Sequence, residues 1–454
     1  MSKGTLAELA LIVEGELHGE DRSFAGVSTD TREISANQLF VALRGPNFDG
    51  NAFVAQAMQQ GAAGALVEHH DRCGLPQVKV DNSLVALGRY ANHWRRRFAP
   101  VVVGITGSNG KTTVKEMITS ILRVAGRTHA TQGNLNNEIG VPLTLLQLSS
   151  RHDFAVIEMG ANHAGEIARL TAMVAPSVGV VTNAAPAHLE GFGSLDGVAH
   201  AKGELFEGLR RDAIAIINRD DHYYPLWRTR VRAREVLTFG RAATADFRVA
   251  EVQQRTNGHG DGLNLALETP DGRLELKLAL SGTHNAVNAA AAAAAGWAAG
   301  VGLPEIRAGL ERVAPVPGRL AIRRTAHGAR IIDDSYNANP ASVQAAIALL
   351  AEQPGQTWLV LGDMGELGDD ADTLHAAIGQ RARDAGIDRL FTVGPLSAAA
   401  ASSFGSGGQS YDDTSELIAA LRADLHDGVT VLIKASRAMR LERVSHALIS
   451  EGGF

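Results

Sequence analysis

The sequence predicts an α/β protein of three domains, built mainly on parallel sheets. Three observations carry that reading. A length of 454 residues suits about three domains at roughly 150 residues each. Apolar, strand-like runs alternate with helical periods in two separate stretches, which is the pattern of βα units. Glycine accounts for 49 residues, above its usual share of roughly 7%, as many tight strand-to-helix turns require.

Composition narrows the class. With 45% hydrophobic and 20% charged residues, the chain has enough apolar surface to fold and is not a disordered polymer. A net charge of −6 offers no overall positive field for nucleic acid or for an anionic membrane surface. Cys73 is the single cysteine, which rules out an internal disulfide and a multi-cysteine metal site and fits a reducing compartment. The apolar run 9–13 is bounded by Glu8 and Glu14, flanks that a targeting core would not carry. The longest apolar tract, 286–301, is mostly alanine and is broken by Asn288, so a buried helix is expected there and not a membrane span. These features together predict a cytoplasmic protein.

The elements follow in order. Residues 1–97 are read as a first domain of short strands and one good helix, closing with a basic, aromatic helix at 89–98. Its Arg95-Arg96-Arg97 cluster reads as a solvated face, and Pro100 marks a seam. Residues 98–316 form the second domain. It opens with an apolar strand at 101–106 and a helix from about Thr112, whose Val114, Met117, Ile118, Ile121, Leu122 and Ala125 share one face before Gly126 stops it. Strands at 154–159 and 178–182 flank a helix at 166–174. The period then drops to two at Leu263, Leu265 and Leu267 and again from Leu274 to Leu280, which predicts an antiparallel hairpin around Pro270-Asp271-Gly272. Pro315-Val316-Pro317-Gly318 is the second seam. Beyond it, 317–454 reads as a Rossmann-like domain with strands at 330–334, 358–362, 389–394 and 429–434 and helices at 342–352 and 415–425.

The strongest chemical signal sits between the first strand and helix of the central domain. Gly107, Ser108, Asn109, Gly110, Lys111, Thr112 and Thr113 make a short phosphate loop. Glycines let backbone N–H groups approach phosphate oxygens, Lys111 would reach the outer phosphates, and the Thr112 hydroxyl would ligate Mg²⁺. The strict G-x-x-x-x-G-K-[ST] pattern fails, because Ile105 stands where its first glycine belongs. Parallel sheets bind ligands beyond the carboxyl ends of their strands, and Glu158 and His188 fall at that edge. Singly, each reads equally well as an ordinary surface group; beside the loop they make a site for Mg²⁺ or Mn²⁺ on a nucleotide. The residues alone thus predict ATP chemistry and leave the substrate open.

The stretch Thr106-Gly107-Ser108-Asn109-Gly110-Lys111-Thr112-Thr113 resembles the loop of the Mur ligases, ATP-dependent amide-forming enzymes of peptidoglycan precursor synthesis. Glu158-Met159-Gly160, the run 183–188, Ala201-Lys202, Gly282-x-His284-Asn285-x-x-Asn288-Ala289 and Gly318-Arg319 extend the resemblance in order along nearly the whole chain. Ser28-Thr29-Asp30-Thr31-Arg32, the run 39–43 and Asp49-Gly50 resemble the N-terminal domain shared by the two late ligases of that pathway. Asp334-Ser335-Tyr336-Asn337-Ala338-Asn339-Pro340 and Gly362-Asp363-Met364-Gly365-Glu366-Leu367-Gly368 resemble the dipeptide-adding member. The Asp-Asn-Pro-Arg type motif of the diaminopimelate- or lysine-adding member is not found.

The resemblance implies a reaction. ATP would phosphorylate the terminal carboxylate of a UDP-N-acetylmuramoyl-tripeptide, and the amine of D-alanyl-D-alanine would attack the acyl phosphate. It implies catalytic roles for Lys111, Glu158, His188 and Lys202, with Thr112 and Glu158 on one Mg²⁺ and His188 near a second. Lys202 would be carbamylated and add an oxygen ligand; on residues alone it reads also as a phosphate partner or a solvated lysine. Asn285 and Asn288 would meet the adenine, and Arg319 and Asp334 the phosphates and ribose. Ser28, Asp30, Arg32 and Asp49 would hold the UDP part, and Lys434, Ser436 and Arg437 would face substrate. Without the resemblance, the first of these clusters reads as a capped turn, the asparagines as a helix cap and 434–437 as a surface turn. That last turn carries Ala435 where the family pattern has glycine. The expected enzyme is a cytoplasmic monomer whose domains close around its substrates. The alternatives are the diaminopimelate- or lysine-adding ligase and a regulatory nucleotide-binding protein without turnover.

Overall fold

A computed structural model describes residues 3–45, 47–257 and 260–450. Pro46, the first two and the last four residues, which the sequence assigns to the outer domains, lie outside the described residues.

The N-terminal unit is a five-stranded sheet in the order Glu16–His18, Gln77–Lys79, Gly64–Val67, Gln38–Val41, Gly26–Ser28, parallel except at its first pair. Helices Leu6–Val13 and Ser83–Arg96 bury Leu6, Leu9, Leu87 and Trp94 in a core shared with Leu39, Val41, Leu66 and Val78. Helix Ser83–Arg96 starts earlier than periodicity suggests, because the Asn82 side chain accepts a hydrogen bond from the Val85 amide at 2.9 Å and caps it. Its far end is packed against the central unit: Trp94 Nε1 donates to the Leu148 carbonyl at 3.1 Å and Asn92 to that of Met173 at 2.7 Å. The arginine cluster is therefore not simply a solvated face. Arg96 is exposed, but Arg95 is half-buried and donates to the Ala175 carbonyl at 3.0 Å, and Arg97 lies over the Trp94 ring. A cation placed over carbonyls at a packed helix end loses water and gains acceptors.

The central sheet has nine strands, in the order Thr128–Ala130, Phe154–Glu158, Val101–Thr106, Val178–Val181, Ile214–Asn218, Glu235–Gly240, Phe247–Asn257, Gly260–Thr269, Gly272–Leu278. The first seven run parallel and the last two close an antiparallel meander. The predicted hairpin is thus two-thirds of a larger device. Its missing strand, Phe247–Asn257, is hidden in the sequence by a bulge at Val249/Glu251 and by polar Gln253 and Gln254, which break the alternation. Helix Lys111–Ala125 buries Val114, Met117, Ile118, Ile121 and Leu122 as its period predicts. Against it lies helix His284–Ala298, whose alanines 289–295 are all fully buried. Small side chains let the two helices sit close to the sheet and to each other.

The C-terminal sheet has six strands, in the order Ala321–Arg324, Arg330–Asp333, Val429–Lys434, Gln356–Gly362, Arg389–Val393, Gly408–Tyr411, parallel beyond its first pair. Both faces are buried. Ile332, Leu359, Leu361 and Leu432 point to one core, and Ile331, Trp358, Val360 and Ile433 to the other. Ala435 fits without strain because Gly362 stands opposite: a Cβ there would lie 2.7 Å from the Ala435 methyl. Among the described residues no helix is long and apolar enough to cross a membrane.

Candidate active site

The phosphate loop leaves the carboxyl end of strand Val101–Thr106, and its backbone is set by contacts that exclude side chains. Gly107 has φ 142°, and a Cβ there would lie 1.9 Å from Thr182 Oγ1. Gly110 has φ 81° and caps the following helix beside Asn288. The neighbouring strand end braces the loop. Ser108 N and Asn109 N donate to the Asn183 carbonyl and side chain at 2.9 and 3.0 Å, and Thr182 Oγ1 donates to the Asn109 carbonyl at 2.6 Å. Lys111 folds back over the loop, donating to the carbonyls of Gly107 at 2.8 Å and Ser108 at 3.2 Å. Burial holds its ammonium below the usual lysine range, opposed in part by Glu158.

Glu158 is the buried carboxylate of the site, 2% exposed. Its Oε2 accepts from the Thr112 hydroxyl at 2.9 Å and its Oε1 from Asn136 at 2.8 Å, while its amide donates to Thr131 Oγ1 at 3.0 Å. Among the described residues no three His, Cys, Asp or Glu side chains converge as a preformed metal cage. Mg²⁺ keeps waters and phosphate oxygens as ligands, so one hydroxyl and one carboxylate of this kind suit it.

The C-terminal unit closes over the loop. Arg319 Nη2 donates to Thr112 Oγ1 at 2.9 Å, and Asn339 Nδ2 donates to Asn109 Oδ1 at 2.8 Å. Asn339 also caps helix Pro340–Ala351 through a reciprocal pair of hydrogen bonds with Ser342. His188, with φ 55°, sets Nδ1 against the Glu366 carboxylate, and that contact holds the Glu366 carboxyl below its usual range. Asp334 and Lys434 form a nearly buried ion pair at 2.5 Å. Tyr336 takes both the Arg319 and Arg437 guanidinium groups on its ring, at 4.2 and 5.6 Å from its centre.

Most of these groups line one cavity of about 760 Å³ between the central and C-terminal units; Gly107, Thr131, Thr182 and Glu366 stand behind its lining. Of the residues singled out from sequence, it collects Ser108 to Thr113, Glu158, His188, Asn285, Asn288, Arg319, Asp334, Lys434 and Arg437. Asn285 donates to the Ser281 carbonyl at 2.7 Å and accepts from Asn288 at 2.9 Å, but neither caps the helix: Thr283 stands at its N-cap, with no side-chain capping hydrogen bond. Ser436 is almost buried; its amide donates to the Asp363 carbonyl at 2.9 Å, and it does not line the cavity.

Lys202 lies behind the wall, 1% exposed, with Nζ 3.4 Å from the Ala161 carbonyl and 5.1 Å from the centre of the Phe192 ring. A solvated helix face is excluded for it. Burial, reinforced by the Lys111 charge, pushes its ammonium down to about 7.

Ser28, Asp30, Arg32 and Asp49 stand apart from this cavity. The Arg32 fork is occupied by Asp30, with Nη2 to Oδ2 at 2.6 Å and Nε to Oδ1 at 2.9 Å, and Arg32 holds the Asp30 carboxyl at about 2. Ser28 accepts from the Asp30 amide at 3.2 Å, and Asp49 caps the turn Gly50–Phe53. The capped turn is therefore present in the form that the residues alone suggest.

Sequence reasoning gave no site role to Asn136, Thr131, Asn339 or Glu366, although Asn339 and Glu366 stand in motifs of the resemblance. The asparagine-rich run Asn134-Leu135-Asn136-Asn137 after a strand was the available signal for the first; the others depend on tertiary partners.

Comparison with known proteins agrees with this geometry. Residues 105–296 match the Mur ligase middle domain, 318–437 the Mur ligase glutamate ligase domain, and 23–95 the catalytic domain of the Mur ligase family. The UDP-N-acetylmuramoyl-tripeptide–D-alanyl-D-alanine ligase of Escherichia coli is 43% identical over 99% of both chains, and that of Bacillus subtilis 36% identical over 99% of both. A MurF crystal structure from Acinetobacter baumannii superposes with a TM-score of 0.92 at 32% identity, covering 99% of each chain. MurF of Thermotoga maritima in complex with ADP superposes at 0.83 and 29% identity over 94% of this chain and 97% of that one. The chain belongs to the Mur ligase family, in its UDP-N-acetylmuramoyl-tripeptide–D-alanyl-D-alanine ligase branch.

Proposed function

We propose that this protein is an ATP-dependent carboxylate–amine ligase that joins D-alanyl-D-alanine to a UDP-N-acetylmuramoyl-tripeptide through an acyl phosphate. The observation that carries this reading is the single cavity in which a phosphate loop, a buried carboxylate and cationic side chains from two units meet. A carboxylate is a poor electrophile; transfer of the γ-phosphoryl group of ATP to its oxygen makes a good leaving group. The dipeptide amine then adds to the carbonyl carbon, and collapse of the tetrahedral intermediate expels phosphate as the amine sheds its proton.

The residues act mainly by position and charge. The loop amides and Lys111 hold the β- and γ-phosphates, and Arg319 faces the transferring group from the other unit. Asn285 and Asn288 bind the adenine, and Asp334 the ribose. Thr112 and Glu158 would hold Mg²⁺, which supplies Lewis-acid neutralisation of phosphate charge when bound. His188, oriented through Nδ1 by Glu366, leaves Nε2 for a second cation. Lys202 is the carbamylation candidate: its burial favours the neutral amine that must attack CO₂. The N-terminal cluster of Ser28, Asp30, Arg32 and Asp49 receives the UDP part, which requires Arg32 to exchange Asp30 for diphosphate. Lys434, Ser436 and Arg437 steer the incoming amine. We read the working enzyme as a cytoplasmic monomer, since one chain supplies every group invoked, with no nucleic-acid partner.

A coupled phosphate-release assay tests the reading. Phosphate should appear only with ATP, Mg²⁺, UDP-tripeptide and dipeptide all present. Release with diaminopimelate or lysine on a UDP-dipeptide would reassign the chain to the other late ligase. Nucleotide binding without release under any combination would leave only a regulatory role.

A further inference from the structure

Lys115 is 1% exposed, an ammonium buried one turn into the phosphate-loop helix, and the reaction outlined above does not use it. Taking such a charge out of water is costly unless it is paired and hydrogen-bonded. Its Nζ donates to the Thr131 carbonyl at 3.0 Å and pairs with Glu116 at 2.8 Å. Thr131 follows the edge strand Thr128–Ala130, and its amide donates to the Val156 carbonyl at 3.0 Å. Its hydroxyl accepts from the Glu158 amide at 3.0 Å. Glu158 in turn accepts from Thr112, three residues before Lys115 on the same helix. The contacts close a circuit: helix, edge-strand exit, strand Phe154–Glu158, and helix again. The same edge-strand exit begins the segment that carries Asn136 to the other Glu158 oxygen.

We propose that Lys115, acting through Thr131, is a positioning residue that fixes the Glu158 carboxylate against the Thr112 hydroxyl and so sets the affinity of the nucleotide site for Mg²⁺. The inference rests on the assignment of Thr112 and Glu158 to that cation. Lys115 touches neither nucleotide nor metal in this scheme. Its ammonium anchors the backbone that delivers Glu158, as partners behind the ligands of metal sites commonly do.

The test reads binding, not turnover. ADP affinity is measured by calorimetry with Mg²⁺ and again in EDTA, for the wild type and for Lys115→Met, Thr131→Val and Glu158→Gln. Lys115→Met keeps most of the side-chain volume and removes the donor. Thr131→Val keeps the carbonyl that Lys115 uses and removes only the acceptor for the Glu158 amide. Each should cut the Mg²⁺-dependent gain in ADP affinity roughly 10-fold, with affinity in EDTA within about two-fold of wild type. A purely structural lysine would lower the melting temperature and leave the Mg²⁺ gain intact, which overturns the proposal. If Lys115→Met does not fold, Lys115→Leu is read in its place by the same criterion. If Glu158→Gln also leaves the gain intact, the metal assignment itself falls; if only Glu158→Gln removes it, the assignment stands and the role of Lys115 does not.

Discussion

Arg319 and Thr112 meet across the seam between two units, the guanidinium donating to the hydroxyl at 2.9 Å while that hydroxyl donates to Glu158. One threonine oxygen thus links the phosphate-loop helix, the buried carboxylate and the C-terminal unit. A divalent cation bound at Thr112 would set its charge beside the Arg319 guanidinium, and like-charge repulsion should turn the arginine toward the phosphates.

Arg319→Lys should therefore lower kcat on the order of 10²-fold or more, because an ammonium keeps the charge and loses the planar fork. Steady-state kinetics with a melting curve checks this. A variant that melts normally and turns over within three-fold or so of wild type would remove Arg319 from the phosphoryl-transfer step.

Lys111→Ala should abolish measurable turnover with little change in melting temperature. Its ammonium bonds to the loop carbonyls of Gly107 and Ser108, and it stands outside the hydrophobic clusters of the central unit. Near-wild-type turnover in a normally folded variant would contradict the phosphate-loop assignment.

If Lys202 carries a carbamate that holds a cation, Lys202→Ala should lose activity by at least about 10-fold. Millimolar formate or acetate should restore part of it if the natural group is a carbamate. Rescue by small amines alone would assign an ammonium role, and intact-mass measurement in bicarbonate buffer reads the added CO₂ directly.

Asn339→Ala removes a helix cap and the hydrogen bond to Asn109 together. Loss of the cap alone costs about 0.5–2 kcal/mol. The additional expectation is weaker ADP binding, because the amide that steadies the loop from the C-terminal unit is gone. Calorimetry should separate this from Ser342→Ala, which weakens the capping pair but leaves the loop contact. Equal ADP affinity in the two variants would show that the cross-seam bond carries nothing.

Periodicity in the chain determined most of the architecture. The buried face of helix Lys111–Ala125, the parallel strands that flank it, the alanine-rich helix and the Leu263–Leu280 alternation are all local patterns, because a helix or strand must repeat its apolar face at its own period. The phosphate loop was legible for the same reason: glycine, lysine and threonine act there through adjacent backbone. Residues whose meaning comes from partners far along the chain were not legible. Phe247–Asn257 hides its alternation behind a bulge, and Arg95 gains its carbonyl only when two units pack. Thr131 carries no distinctive spacing, and for Asn136, Asn339 and Glu366 a motif marks the stretch but not the partner; folding sets them against Glu158, Asn109 and His188. Local sequence sets which faces are apolar and where the chain turns. Hydrogen-bond partners tens to hundreds of residues apart are chosen only when those faces are buried together.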